Sequence, residues 1–160
     1  MKLGNTLFSE CGTYRYTLTR KIPQPVRWVK NALFIMLNPS TADEFQNDPT
    51  ITRCINFASR EGCTDLTIVN LFALRSTDPK MLKIHSNPVG PKNQEIFLKE
   101  LEKAERTNGL VVTAWGANPL AEPFNRELRG LDFHCLGLNK NGSPKHPLYV
   151  KSDKELELFR

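Results

Sequence analysis

Three side chains carry groups suited to chemistry at positions where the surrounding sequence gives them something to act on: Asn38, Asn70 and His146. Asn38 heads the segment Asn-Pro-Ser-Thr-Ala-Asp, which adds Ser40, Thr41, Asp43 and, a little further on, Asp48. An amide can hold a water through its carbonyl while its nitrogen donates elsewhere, and Ser and Thr hydroxyls can bind phosphate or close a turn. An Asx-Pro turn that merely ends a strand reads the same residues equally well. Asn70 lies between Val69 and Leu71-Phe72. An amide in an apolar strand must satisfy both donors and acceptors, through a ligand edge or through an internal hydrogen bond. His146, between Lys145 and Pro147, could donate to a developing negative charge or act as an acid, or could be an ordinary loop histidine. Phe45 could stack on a planar ring or pin its own loop onto the core. Trp115 reads as core, and His85 and His134, without supporting neighbours, read as structural.

The elements that must position these groups follow from periodicity and punctuation. Residues 14–20 alternate as a strand, and Arg27-Trp28-Val29 follows two prolines as its return, giving an N-terminal hairpin or edge strand. Leu33–Leu37 is a continuous apolar run that stops at Asn38-Pro39, as a strand buried on both faces does. Asp48 as cap, Pro49 in the first turn, apolar residues at 51, 54, 55 and 58, and Gly62 at the end predict a helix. A second buried strand is predicted over 66–71, a helix over 93–106, a strand over 110–115 and a short helix over 120–129. A fourth strand over 133–138 and a last helix from Ser152 complete the pattern. Strand and helix alternating in this way predict an α/β protein: a three-layer α/β/α sandwich around a short, largely parallel sheet. Ligands in such sheets bind beyond the carboxyl ends of the strands, which is where Asn38, Asn70, Trp115-Gly116 and His146 fall.

Composition narrows the classes. With 160 residues, 39% apolar and 24% charged, one domain with a proper core is expected over residues 1–160. No apolar run approaches a membrane span and the polar start is not that of a signal peptide, so a cytoplasmic protein without membrane association is expected. The four cysteines are scattered without CxxC spacing, which predicts reduced thiols and no metal site. The net charge of +5 is concentrated in residues 1–30, a basic β extension for which nucleic acid is a reasonable partner. No GxGxxG, GKS/T, GxSxG or HExxH pattern is present.

The segments Phe34–Asp43, Asn47–Thr50, Val69–Ala73, Ala114–Gly116 and His146–Tyr149 resemble, in order, the family filed as domain of unknown function 1643. That family looks like a distant branch of the uracil-DNA glycosylase-like superfamily. This likeness implies that Leu37–Ser40 corresponds to a first motif that positions a water, with Asp43 or Asp48 assisting. Asn70 would read the base, Phe45 would stack on it, and His146 would stabilise the departing base. Trp115-Gly116 matches a pair that precedes the last motif in some members. Two departures stand out: Met36 replaces the usual glycine, and Leu148-Tyr149 replaces the continuation that enters a duplex. The expected activity is hydrolysis of an N-glycosidic bond to a pyrimidine-like or modified base, in DNA or as a nucleotide, by a monomer without cofactor. The alternative is a non-catalytic module that binds a nucleotide or modified base and serves nucleic-acid processing.

Overall fold

A computed structural model describes all 160 residues. The strands are β1 (Thr6–Phe8), β2 (Arg15–Lys21), β3 (Asn31–Met36), β4 (Asp65–Asn70), β5 (Leu110–Thr113), β6 (His134–Cys135) and β7 (Glu157–Leu158). They form one sheet in the order β1-β2-β4-β3-β5-β6-β7. The central strands β4, β3, β5 and β6 run parallel, while β1, β2 and β7 are antiparallel to their neighbours. The helices are α1 (Pro49–Arg60), α2 (Met81–Ile84), α3 (Asn93–Arg106) and α4 (Glu122–Glu127).

Helix α1 forms where its punctuation places it. Asp48 accepts the Ile51 amide at 2.8 Å, Pro49 occupies the first turn, and Ile51, Cys54, Phe57 and Ala58 are buried. These residues pack with Phe34, Met36, Leu66 and Ile68 into a core on one face of the sheet. The opposite face carries Leu33, Ile35, Val69 and Val111 under Phe97, Leu101 and Ala104 of α3 and Phe124 of α4. Alternation along each central strand thus feeds two cores and builds the three layers.

The chain leaves β3 through α1 to reach β4 on one side, then crosses by α3 to β5 on the other side of β3. The loops after β3 and β5 therefore diverge to opposite faces and open a crevice between them at the carboxyl edge. No helix is long and apolar enough to cross a membrane.

Three expected elements differ. Arg27-Trp28-Val29 is not a strand: Trp28 and Val29 are 65% and 71% exposed. One edge of β2 pairs with β4 and the other with β1, from upstream, so residues 27–29 have no ladder to join. The fourth strand is cut to His134–Cys135, because Gly137 at φ 93° turns the chain and Leu138 then bridges Pro144 instead. The tail from Ser152 is not a helix. Its residues 157–158 pair with β6, and Phe159, wholly buried, meets the Trp115 ring edge-on at 5.6 Å. The free edge of β6 and one deep apolar anchor outweigh local helical preference.

A bulge in β2 bears on the site. Leu7 pairs with Thr17, but Phe8 pairs with Arg15, leaving Tyr16 as an extra residue. Tyr14 and Tyr16 enter the α3-side core, while Leu18 enters the α1-side core. Strict alternation would set Arg15 against Leu18; the extra residue brings both to the α1 side.

Candidate functional site

The crevice at the carboxyl edge is a cleft of about 420 Å³. Met36, Leu37, Asn38 and Ser40 reach it from β3 and its loop, Asp48, Thr50 and Ile51 from the start of α1, and Asn70 from the end of β4. Trp115 and Gly116 come from the end of β5, and His146, Leu148 and Tyr149 from the late loop. Seven residues singled out from sequence, Asn38, Ser40, Asp48, Asn70, Trp115, Gly116 and His146, therefore share one cavity. Thr41, Asp43 and Phe45 lie outside it.

Asn38 is anchored by its nitrogen, which donates to the carbonyls of Pro39 at 3.1 Å and Ser76 at 3.0 Å. Its Oδ1 makes no bond within the protein and is left to accept from water. Asp48 uses one carboxylate oxygen to cap α1, leaving the other free. Asn70 is 1% exposed, and neither Nδ2 nor Oδ1 has a partner. Of six buried side-chain polar atoms without a partner, two belong to Asn70 and a third, Arg15 Nε, lines the same cleft. Buried amides are nearly always satisfied, so this concentration marks the cleft floor as arranged for something other than stability.

His146 accepts the Leu148 amide at 3.2 Å through Nδ1, which puts the proton of the neutral ring on Nε2. Burial lowers its pKa, opposed by the Asp48 charge, so a neutral Nε2–H donor is the form at neutral pH. Its loop is clamped from α1: Arg53 donates to the Pro147 carbonyl at 3.0 Å and to that of Val150. Gly116 sits at φ 83°, a left-handed turn that strains any side chain, directly beside His146. Trp115 is buried; its Nε1 donates to Asn125 Oδ1 at 2.8 Å, as expected of a core residue that also walls the cleft.

The residues left outside have local work. The Asp43 carboxylate accepts the Phe45 and Gln46 amides at 2.8 and 3.0 Å, which holds its pKa below the ordinary value. Phe45 is 62% exposed on that turn and does not pin the loop to the core, leaving Tyr149 as the exposed aromatic that lines the cleft. Burial pushes the Cys54 thiol far up, so it is no nucleophile. No three His, Cys, Asp or Glu side chains converge in a metal-binding group.

Three residues missed from sequence support the site. Arg15 lines it, and Arg20 holds its first loop by donating to Asn47 Oδ1 at 2.7 Å, to Gln46 O at 3.2 Å and to Asp43 O. Both arginines are buried, Lys21 pairs with Asp65 and Lys30 donates to Glu61 O, so most of the basic N-terminal charge is engaged within the fold. Asn93 donates to the carbonyls of Asn70 and Leu71 at 2.9 and 3.3 Å and fixes the end of β4. A second hollow of about 280 Å³ lies at the opposite edge of the sheet, and none of the unpartnered buried atoms lines it.

Fold and site together define the class: a doubly wound α/β protein with a polar cleft at its topological switch point. The chain belongs to DUF1643, a family described as a protein of unknown function, whose model matches residues 15–148. No curated protein and no solved structure matches the chain.

Proposed function

We propose that the cleft hydrolyses an N-glycosidic bond to a pyrimidine-like or modified base. The observation that carries this reading is the Asn70 amide, buried at the cleft floor with donor and acceptor both unpartnered, as a planar amide edge would require. The sequence likeness of Leu37–Ser40, Asn70 and His146-Pro147 to glycosylase motifs supports it. Asn38 Oδ1 holds the attacking water, and the free oxygen of Asp48 takes its proton as the new C–O bond forms at the sugar carbon. The C–N bond breaks with its electron pair on the base, which the His146 Nε2–H meets with a hydrogen bond. Solvent protonates the released base and relieves Asp48 of its proton. Tyr149, rather than Phe45, is placed to cover a planar ring. Positioning and electrostatics supply the acceleration.

The test is base release. The full chain is incubated with DNA and nucleotides carrying normal, deaminated and hypermodified pyrimidines, and free base is followed by mass spectrometry. Release that Asn38→Ala and His146→Ala each abolish supports the hydrolase. Binding of one member without any release would leave a non-catalytic base-binding module in its place.

A further inference from the structure

Arg15 is the one full positive charge on the cleft floor, and the proposed chemistry does not use it. It is 2% exposed. Its guanidinium makes a single bond, from Nη1 to the Ala42 carbonyl at 2.8 Å, and Nε has no partner. It forms no salt bridge. Burial lowers its pKa to about 10, with Asp48 opposing, so it stays charged at neutral pH. His146 is neutral there, as shown above. A buried, unpaired guanidinium is costly, and the fold reaches this arrangement through an extra residue that turns Arg15 onto the cleft side of β2.

Its surroundings say what would satisfy it. The guanidinium fork matches carboxylate and phosphate oxygens, whereas the carbonyl it touches answers only one of its five N–H groups. Strands β2 and β4 are neighbours, so Arg15 and Asn70 lie on adjacent strands and line one cavity. A ligand that fills this cavity can therefore meet Arg15 with negative charge and Asn70 with a polar edge.

We propose that Arg15 is an anion-binding residue of the cleft, and that its ligand carries a compact anionic oxygen group, carboxylate or phosphate, next to an amide-like edge. This deepens the base-binding reading of Asn70, on which it rests, by naming the charge of the recognised group.

The experiment is binding, read without turnover. The Arg15 Nε–H resonance of the ¹⁵N-labelled full chain, assigned by its loss in Arg15→Lys, is followed while uracil, orotate (its carboxylate derivative), inorganic phosphate and uridine monophosphate are added. Orotate is expected to move that resonance and to bind about tenfold or more tighter than uracil. Arg15→Met should erase the preference while uracil affinity stays within about twofold. If phosphate or the monophosphate moves the resonance and orotate does not, the anionic group is phosphate. Should Arg15→Met fail to fold, Arg15→Lys must still lose about threefold or more of the preference, because ammonium lacks the fork. Equal affinity for charged and neutral probes, a preference that survives both substitutions, or a resonance that no probe moves overturns the proposal. Failure of base release leaves this result standing, and base release indifferent to Arg15 sinks this proposal alone.

Discussion

Replacing Asn70 by leucine should stabilise the protein while destroying its function. The side chain faces the α1-side core on β4, two residues after Ile68 and directly across the ladder from Met36, with Ile51 on the same cleft wall. It is 1% exposed and both amide atoms lack partners. Holding an amide out of water without compensation costs about 1–3 kcal/mol by mutational measure. Leucine has similar bulk, carries no polar atom and removes that cost, so a gain of about 2 kcal/mol is expected. For a chain of this length, that gain corresponds to a rise in Tm of roughly 4–8 °C. Urea unfolding and thermal melts of Asn70→Leu beside the parent measure it, and the base-release and binding assays should both fall silent for the variant. A drop in stability with Asn70→Leu, matched by a drop with the smaller Asn70→Ala, would refute the reasoning. Overpacking would then be excluded as the cause, and the amide would have to be satisfied in the free protein.

The same geometry makes three further predictions. Arg20→Leu removes four hydrogen bonds, three to the loop over residues 43–47 and one to Thr19 O, and should cost about 2–4 kcal/mol. Amide exchange of residues 43–47 should quicken more than that of α3, and equal quickening in both would show that Arg20 does not act on that loop. Asp48→Asn keeps a good cap on α1 and should leave stability within about 0.5 kcal/mol, whereas Asp48→Ala should lose about 1 kcal/mol. Both should lose base release if the carboxylate takes the proton, and activity that survives in the asparagine variant would reduce Asp48 to a cap. His146 titrates below its ordinary 6.5, so as pH falls the unfolded chain takes up the proton first. Stability attached to the neutral ring is present above about pH 6.5 and declines as pH drops toward the lowered folded value. Urea midpoints at about pH 7.5 and about pH 5 should differ less in His146→Gln than in the parent, and an equal difference would sink the assignment.

The parts of this fold legible in the sequence are those fixed by near neighbours. Asp48, Pro49 and the apolar positions after them define α1 within two turns, and the structure begins and ends that helix within two residues of the reading. The helix over 93–106 is found as expected. The apolar run at 33–37 was readable as a strand buried on both faces because α1 and α3 cover it on either side. Elements decided by distant partners were not readable. Residues 152–159 have helical composition, yet the unfilled edge of β6 and the niche for Phe159 beside Trp115 decide their fate. Phe45 looked like a ring for stacking because it follows the motif in sequence, but the Asp43 turn carries it away from the cleft.

Arg15 shows why the site itself was only partly legible. Asn38, Asn70 and His146 announce themselves, each being a polar group next to an apolar strand or a proline turn. Arg15 sits in an alternating strand and reads as one more charge of the basic N-terminal extension until pairing with β1 reveals the extra residue at Tyr16. A bulge depends on the partner strand's register, which no local pattern in β2 encodes. The cleft thus gathers three departures from what local rules favour: an unsatisfied amide, an unpaired buried cation and a broken alternation. Asn70 and Arg15 would each give way to an apolar side chain if stability alone mattered, and both line the cleft with the bulge next to Arg15. The coincidence of these departures at one cleft on the carboxyl edge of the sheet is the physical ground for placing function there.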